Sequence, residues 1–212
     1  MVDNMMQEKI KTDWDEKKIQ ILKVSQQIFA RYGFFKSTMD DIALAMGMKK
    51  GSLYYYYKSK EDILRDVIHY ESEQFLKALQ KEIAPVKTPQ EKILRFLRFR
   101  LKQFKEVMNL HQISIQAFLE ATSIISSLYR ECFENEIELL AEAVQEGIDQ
   151  KVFMKYDSKK VAQSLLTFAE AVKFREFHRN NTIAISEINY SAIEEEILFT
   201  TEIIIKGISV YK

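Results

Sequence analysis

Between Lys49 and Lys60 the chain carries four lysines and no acidic residue, and the lysines flank four consecutive tyrosines, Tyr54 to Tyr57. Ammonium groups and phenol hydroxyls donate hydrogen bonds to phosphate oxygens, and lysine also donates to the O6 and N7 acceptors of guanine. Adjacent tyrosines on a helix spread around its circumference and cannot all share one buried stripe. Some of their hydroxyls must therefore meet water or a ligand. The chemistry on offer is recognition of a polyanion rather than bond making.

Catalysis would need convergent acid, base or nucleophile groups. His69, His111 and His178 fall on separate helical stretches, and no HExxH, GxSxG, P-loop or dinucleotide fingerprint is present. No enzyme activity, metal or cofactor is expected. The single cysteine, Cys132, precludes an internal disulfide and suits a reducing cytoplasm; beside Phe133 on an amphipathic helix it reads as a packed thiol. No apolar run approaches the roughly 18 residues that span a membrane, so no membrane contact and a cytoplasmic location are expected.

Net charge is zero, yet residues 1–65 hold 12 Lys and Arg against 9 Asp and Glu. Local charge, not the total, decides whether phosphate is attracted. Hydrophobic residues at 47% suffice for a core, only 5 glycines and 2 prolines interrupt the chain, and apolar positions recur at three and four. The fold class expected is all-α.

The elements that would position the lysine–tyrosine stretch can be placed in order. Residues 1–12 lack a clear period and are expected to fray. Ile21, Val24, Ile28, Phe29 and Tyr32 share one face of a helix from Glu16 to Tyr32, with Gly33 as its stop. Ser37 and Thr38 can cap a second helix whose first turn holds Asp40 and Asp41. Ala43 is small enough for close helix approach, Gly47 can take the left-handed turn, and Leu53 can anchor a helix from about Lys50 to Tyr56. Ser59 and Asp62 form a capping box for the next helix.

With ILKVSQQIFARYGF followed by STMDDIALAMGMKKGSLYYYYKSKEDIL, the run from Ile21 to Ile68 resembles the TetR family of transcriptional regulators. The family commonly has His-Phe where this chain has Tyr56-Tyr57, so Tyr57 is expected in a core slot with its hydroxyl reaching the surface. The resemblance implies an N-terminal three-helix helix-turn-helix domain, residues 1–64, joined to a C-terminal helical ligand-binding and dimerisation domain, residues 65–212. It implies double-stranded DNA as a partner, with Lys50 and Gly51 as base-edge candidates. Thr38, Tyr54, Tyr55, Tyr56 and Lys60 are then phosphate candidates; Lys49 could serve either role, and Ser52 lies on the same outer face.

Beyond Ile68 the reading is helical without a strong signature. A long helix runs from Lys60 to about Ile83, APVKTP breaks it, and Thr88-Pro89-Gln90-Glu91 opens another. Further helices are expected over about His111–Ala121, Ser126–Gln150 and Ser158–Phe177 (capped by Asp157), and a last one capped by Ser191 with Glu194. Ala162, Leu165, Leu166, Ala169 and Val172 make one adhesive stripe; Ile193, Ile197, Thr200, Ile204 and Ile208 make another, widened by Leu198, Phe199 and Ile205. The resemblance turns these last two helices into a homodimer interface. An effector site is expected among Leu97, Leu101, Phe104, Ile115, Phe118, Phe168 and Val172, with Gln103, His111, Gln116 and Arg175 as orienting polar groups. That lining suits a hydrophobic or amphipathic small molecule such as an acyl-CoA or a drug-like compound. The function expected is a ligand-released repressor; the alternatives are an activator, or a helical adaptor without a small-molecule effector.

Overall fold

Residues 15–110, 126–179 and 188–210 are described by the structure, a computed structural model. Among them eight helices form: α1 Glu16–Tyr32, α2 Met39–Ala45, α3 Lys50–Tyr56, α4 Lys60–Ile83, α5 Pro89–Leu110, α6 Ser126–Asp149, α7 Ser158–Arg179 and α8 Tyr190–Ile208. The only β pairing among the described residues is an isolated bridge between Phe153 and Ser209. The all-α reading therefore holds. The helix expected over about His111–Ala121 lies outside the described residues. The chain divides into two compact units, Met1–Gln74 and Phe75–Lys212, and the division falls within α4.

In the first unit, short-range capping decides where each helix starts. Asp15 accepts from Lys18 N at 2.7 Å to open α1. Thr38 and Asp41 cap α2 reciprocally: Thr38 Oγ1 accepts from Asp41 N at 3.1 Å, and Thr38 N donates to Asp41 Oδ2 at 2.8 Å. Ser59 Oγ accepts from Asp62 N at 3.1 Å ahead of α4. The inward faces then close on one core of Ile21, Leu22, Ile28, Ile42, Ala43, Leu53, Tyr57, Ile63 and Val67. Leu53 is fully buried; a leucine moved from water to such a site contributes about 1.5–3 kcal/mol. It fixes the depth at which α3 sits on the core.

The second unit is a helical bundle in which α6 packs on α7, α5 on α6 and α8, and α7 on α8. Thr88 Oγ1 accepts from Glu91 N at 3.3 Å at the start of α5, and Asp157 Oδ1 accepts from Lys160 N at 3.0 Å at the start of α7. The cap of α8 differs from expectation. Asn189 Oδ1, not Ser191, accepts from Ala192 N, at 3.1 Å, because the helix begins a residue before Ser191 and places it inside the first turn. The end of α8 is tied to the segment after α6: Met154 N donates to Ile208 O at 2.7 Å, and Val210 N to Val152 O at 2.9 Å.

Both stripes read as adhesive are used by this bundle's own core. Ala162, Leu165, Leu166, Ala169 and Val172 are buried, as are Ile193, Ile197 and Ile208. The apolar surplus on α8 lies elsewhere: Phe199 is 65% exposed and Ile203 is 53% exposed. A helix apolar over so wide an arc can fill its core and still present such residues to solvent.

Candidate nucleic-acid interface

Helices α2 and α3 are joined by residues 46–49. Gly47 takes φ +63° there, a left-handed conformation that glycine adopts without the Cβ clash other residues meet. Its N–H donates to Leu44 O at 3.0 Å, and Met48 N donates to Ala43 O at 2.8 Å, which closes the turn. Ile42 and Ala43 are buried on one side of it and Leu53 on the other. The result is a helix-turn-helix whose second helix is seven residues long.

One buried contact, Leu53, leaves most of α3 outward. Lys49, Lys50, Gly51, Ser52, Tyr54 and Tyr55 are all exposed, Tyr55 at 85%. Tyr56 is half-buried against the core. Tyr57 fills the core slot and is 5% exposed, and a carboxylate engages its hydroxyl. It donates to Asp66 Oδ2 at 3.0 Å, and burial together with the neighbouring Asp66 carboxylate pushes the phenol's pKa up.

Gly51 has no internal reason to be glycine. A Cβ built there meets nothing within 4 Å, and its backbone is ordinary helix. What the missing side chain leaves is open space beside α3.

Lys50 Nζ sits 2.8 Å from Asp40 Oδ1 on α2 and 5.9 Å from the Tyr54 ring centroid. The Asp40 hydrogen bond pushes the lysine's pKa up, so it stays a cation. Exposed pairs of this kind are weak and exchange readily, so Lys50 is not locked to Asp40.

Two of the residues nominated for phosphate are engaged internally. Lys60 Nζ donates to Phe34 O at 2.9 Å, Ser37 O at 3.0 Å and Phe35 O at 3.2 Å. An ammonium has only three donors, and here each has a carbonyl. The group also lies 4.5 Å from the Phe34 ring centroid. Lys60 thus fastens the α1–α2 loop to the first turn of α4. The Thr38 hydroxyl is similarly engaged in the capping box, 2.7 Å from Asp41 Oδ2. The hydrogen bonds from Thr38 hold the Asp41 carboxyl below its ordinary pKa.

In the second unit, Leu97, Leu101, Phe104, Phe168 and Val172 gather in one core, where Phe104 stacks on Phe177 at 5.7 Å. Gln103 instead donates to Glu106 at 2.8 Å, and Arg175 is an exposed cation paired with Glu196 at 2.5 Å and Glu176 at 3.2 Å. Both polar groups are engaged by carboxylates, Gln103 from a half-buried position and Arg175 from an exposed one. His111, Ile115, Gln116 and Phe118 lie outside the described residues.

Sequence reasoning missed a buried ionic network in the same core. Arg100 donates to Glu136 and, at 2.5 Å, to Glu170 Oε1; Tyr129 OH donates to Glu170 Oε2 at 2.6 Å, and Lys173 Nζ to Glu170 Oε1 at 2.7 Å. Lys173 also lies 4.3 Å from the Phe104 ring centroid. Burial pushes the Glu170 pKa up, but Arg100 and then Lys173 and Tyr129 outweigh it and hold the carboxyl well below the usual range. The signal was present: Arg100 occupies an inward position between Leu97 and Leu101, and Glu170 and Lys173 interrupt the buried stripe of α7. A charge at a core period calls for a partner.

Among the described residues no group of three or more His, Cys, Asp and Glu could hold a metal ion, and no helix is long and apolar enough to cross a membrane.

Residues 21–67 match the family described as bacterial regulatory proteins, tetR family. The fatty acid metabolism regulator protein of Bacillus subtilis (strain 168) is 29% identical over 104 residues, 49% of this chain and 52% of that protein, so the chain spans about half the length of that relative. The HTH-type transcriptional regulator QacR of Staphylococcus aureus is 23% identical over 87% of this chain and 86% of its own. A crystal structure of a transcriptional regulator from Cytophaga hutchinsonii shares the fold at TM-score 0.74, with 24% identity, over 92% of this chain and 100% of that one. A glycine-turned helix-turn-helix, an outward lysine–tyrosine helix and the match over residues 21–67 agree: this part of the chain is a domain of the tetR family of bacterial regulatory proteins.

Proposed function

We propose that the protein is a ligand-responsive transcriptional repressor that binds a pseudo-palindromic operator as a homodimer. The observation that carries this reading is the face of α3, where Lys49, Lys50, Gly51, Ser52, Tyr54 and Tyr55 are exposed together on a helix anchored by buried Leu53. Lys50 and Gly51 read base edges in the major groove: the lysine donates to guanine, and the glycine lets the backbone approach. Tyr54, Tyr55 and Lys49 grip phosphates, with Ser52 and Tyr56 at the margin. Thr38 and Lys60 act one step back, by holding α2 and its preceding loop in register.

Two copies of α3 must enter successive major grooves about 34–36 Å apart, which requires a dimer. Exposed Phe199 and Ile203 on α8 support a partner surface on the outer side of the last two helices. The effector is a hydrophobic or amphipathic molecule held in the core around Leu101, Phe104, Phe168 and Val172, with its polar end near the Arg100–Glu170 network. The likeness to a fatty acid metabolism regulator favours an acyl thioester over a drug-like cation. Release works through the effector's difference in affinity for the two conformations of the dimer, and can be no larger than that difference.

Selection of bound duplexes from random DNA, repeated with a cell metabolite extract, tests the reading. An enriched palindrome that the extract abolishes supports it. Absence of any enriched palindrome overturns DNA reading, and a palindrome indifferent to extract and to acyl thioesters overturns the effector.

A further inference from the structure

The outward face of α5 carries Arg95, Arg98, Lys102 and Lys105 at intervals of three, four and three residues, so all four lie along one stripe. That stripe borders an open cleft of about 500 Å³, whose other walls are Glu82, Phe99, Leu101 and the first turn of α8 with Tyr190, Ser191 and Glu194. The volume falls within the ~300–1,000 Å³ range of small-molecule sites.

The cleft's charge is unbalanced. Its lining holds four cations against two carboxylates, in a chain whose total is zero. The carboxylates are loosely held competitors: Arg95 meets Glu82 at 2.9 Å and Arg98 meets Glu194 at 3.5 Å, and Arg98 and Glu194 are about half exposed. Lys102 reaches Glu106 only at 3.8 Å, in an exposed pair. Lys105 has Tyr190 below it, Nζ to ring centroid 5.4 Å. The Tyr190 hydroxyl is buried and has no hydrogen-bond partner among the described residues. Exposed pairs such as these contribute little and yield to a better anion.

Two further features favour phosphate. The first turn of a 19-residue helix faces the cleft through Ser191; Asn189 and Ile188 already accept from Tyr190, Ala192 and Ile193, so this end offers an anion chiefly the partial positive charge of the helix. The guanidinium forks of Arg95 and Arg98 can each take two phosphate oxygens, and a group with several phosphates has oxygens and charge enough to engage both forks, where one carboxylate fills only one. From Arg95 to Lys105 the stripe runs about 15 Å along the helix, too long for one monoanion to engage. We propose that this cleft binds a small molecule bearing two or more phosphate groups. The site is separate from the α3 face and does not depend on the DNA-binding reading.

Isothermal titration of the full chain with inorganic tripolyphosphate tests it. Saturable binding is expected, weakened at least about tenfold in Arg98→Ala/Lys102→Ala, the loss of one or two charge-assisted bonds. Ser191→Asp should weaken it too while leaving the melting temperature unchanged or raised, since a carboxylate in a first turn suits the helix. The triple variant Lys49→Ala/Lys50→Ala/Lys58→Ala should bind like the parent. No saturable binding by the parent overturns the proposal. So does loss of binding in the triple variant with none in the cleft variants, or an equal response to sodium sulfate at matched ionic strength.

Discussion

Lys50 Nζ lies 2.8 Å from Asp40 Oδ1, a contact that links the first turn of α2 to the first residue of α3 across the turn between them. Each side chain is 60% exposed, so the pair contributes little to the fold, and the role proposed for it is to bias the direction of the lysine between encounters. It also keeps a carboxylate on the surface proposed to meet DNA. Asp40→Asn should therefore tighten binding to scrambled duplex several-fold while tightening operator binding less, so that discrimination falls. Fluorescence anisotropy on the two duplexes at fixed salt measures this; equal gains on both would mean Asp40 only repels and does not aim.

Gly51 separates the needs of the fold from those of the partner. A Cβ at this position meets nothing within 4 Å, and alanine is the better helix former by about 1 kcal/mol. Gly51→Ala should leave the urea midpoint unchanged or raised, yet weaken operator binding at least about tenfold if backbone approach matters as in close base-edge contact. A variant that binds as well as the parent would remove Gly51 from the interface.

Lys60 gives the opposite pattern. Lys60→Met keeps an unbranched apolar stem but abandons three carbonyls and the cation over Phe34. The expected loss is about 1–3 kcal/mol of stability, read by chemical denaturation, with the slope of log Kd against log salt unchanged. Unaltered stability together with a slope flatter by about one would instead make Lys60 a phosphate contact.

Much of this was legible from short-range patterns. Thr38 with Asp41, Ser59 with Asp62, and Thr88 with Pro89 are local rules, settled within one helical turn, and the helices start where those rules place them. Ala43, Gly47 and Leu53 are likewise near neighbours whose spacing carries the turn. The internal bonds of Lys60 were not legible because its carbonyl partners lie 23 to 26 residues away, and an exposed-looking lysine gives no sign of a distant loop. The pairing of Arg175 was hidden for the same reason: Glu196 is on another helix. The buried stripes of α7 and α8 were recognised as apolar, but amphipathicity alone does not say whether a face meets its own bundle or a second copy.

Glu170 sets the acid response of the second unit. Its carboxyl is held below its ordinary value by Arg100 and Lys173 against the effect of burial. A group depressed in the folded state contributes stability that is complete above its unfolded pKa, near 4.3, and is lost as pH falls through the folded value. Urea midpoints should thus fall as pH drops below about 4.3, and Glu170→Gln should flatten that fall while costing about 3–5 kcal/mol at neutral pH, because Arg100 and Lys173 lose a buried partner. Parallel acid profiles for parent and variant would show that Glu170 does not control it.

Whether α3 reads base edges is decided by a pair of titrations: Kd for the selected operator and for a scrambled duplex, with the parent and with Lys50→Ala, across a salt series. Lys50→Ala should bring the two affinities together by about tenfold or more, the discrimination carried by a good base-edge contact. It should lose affinity for scrambled DNA only to the extent of one charge, a change of about one in slope. An operator preference that survives Lys50→Ala intact would contradict the assignment of Lys50 as the reading residue.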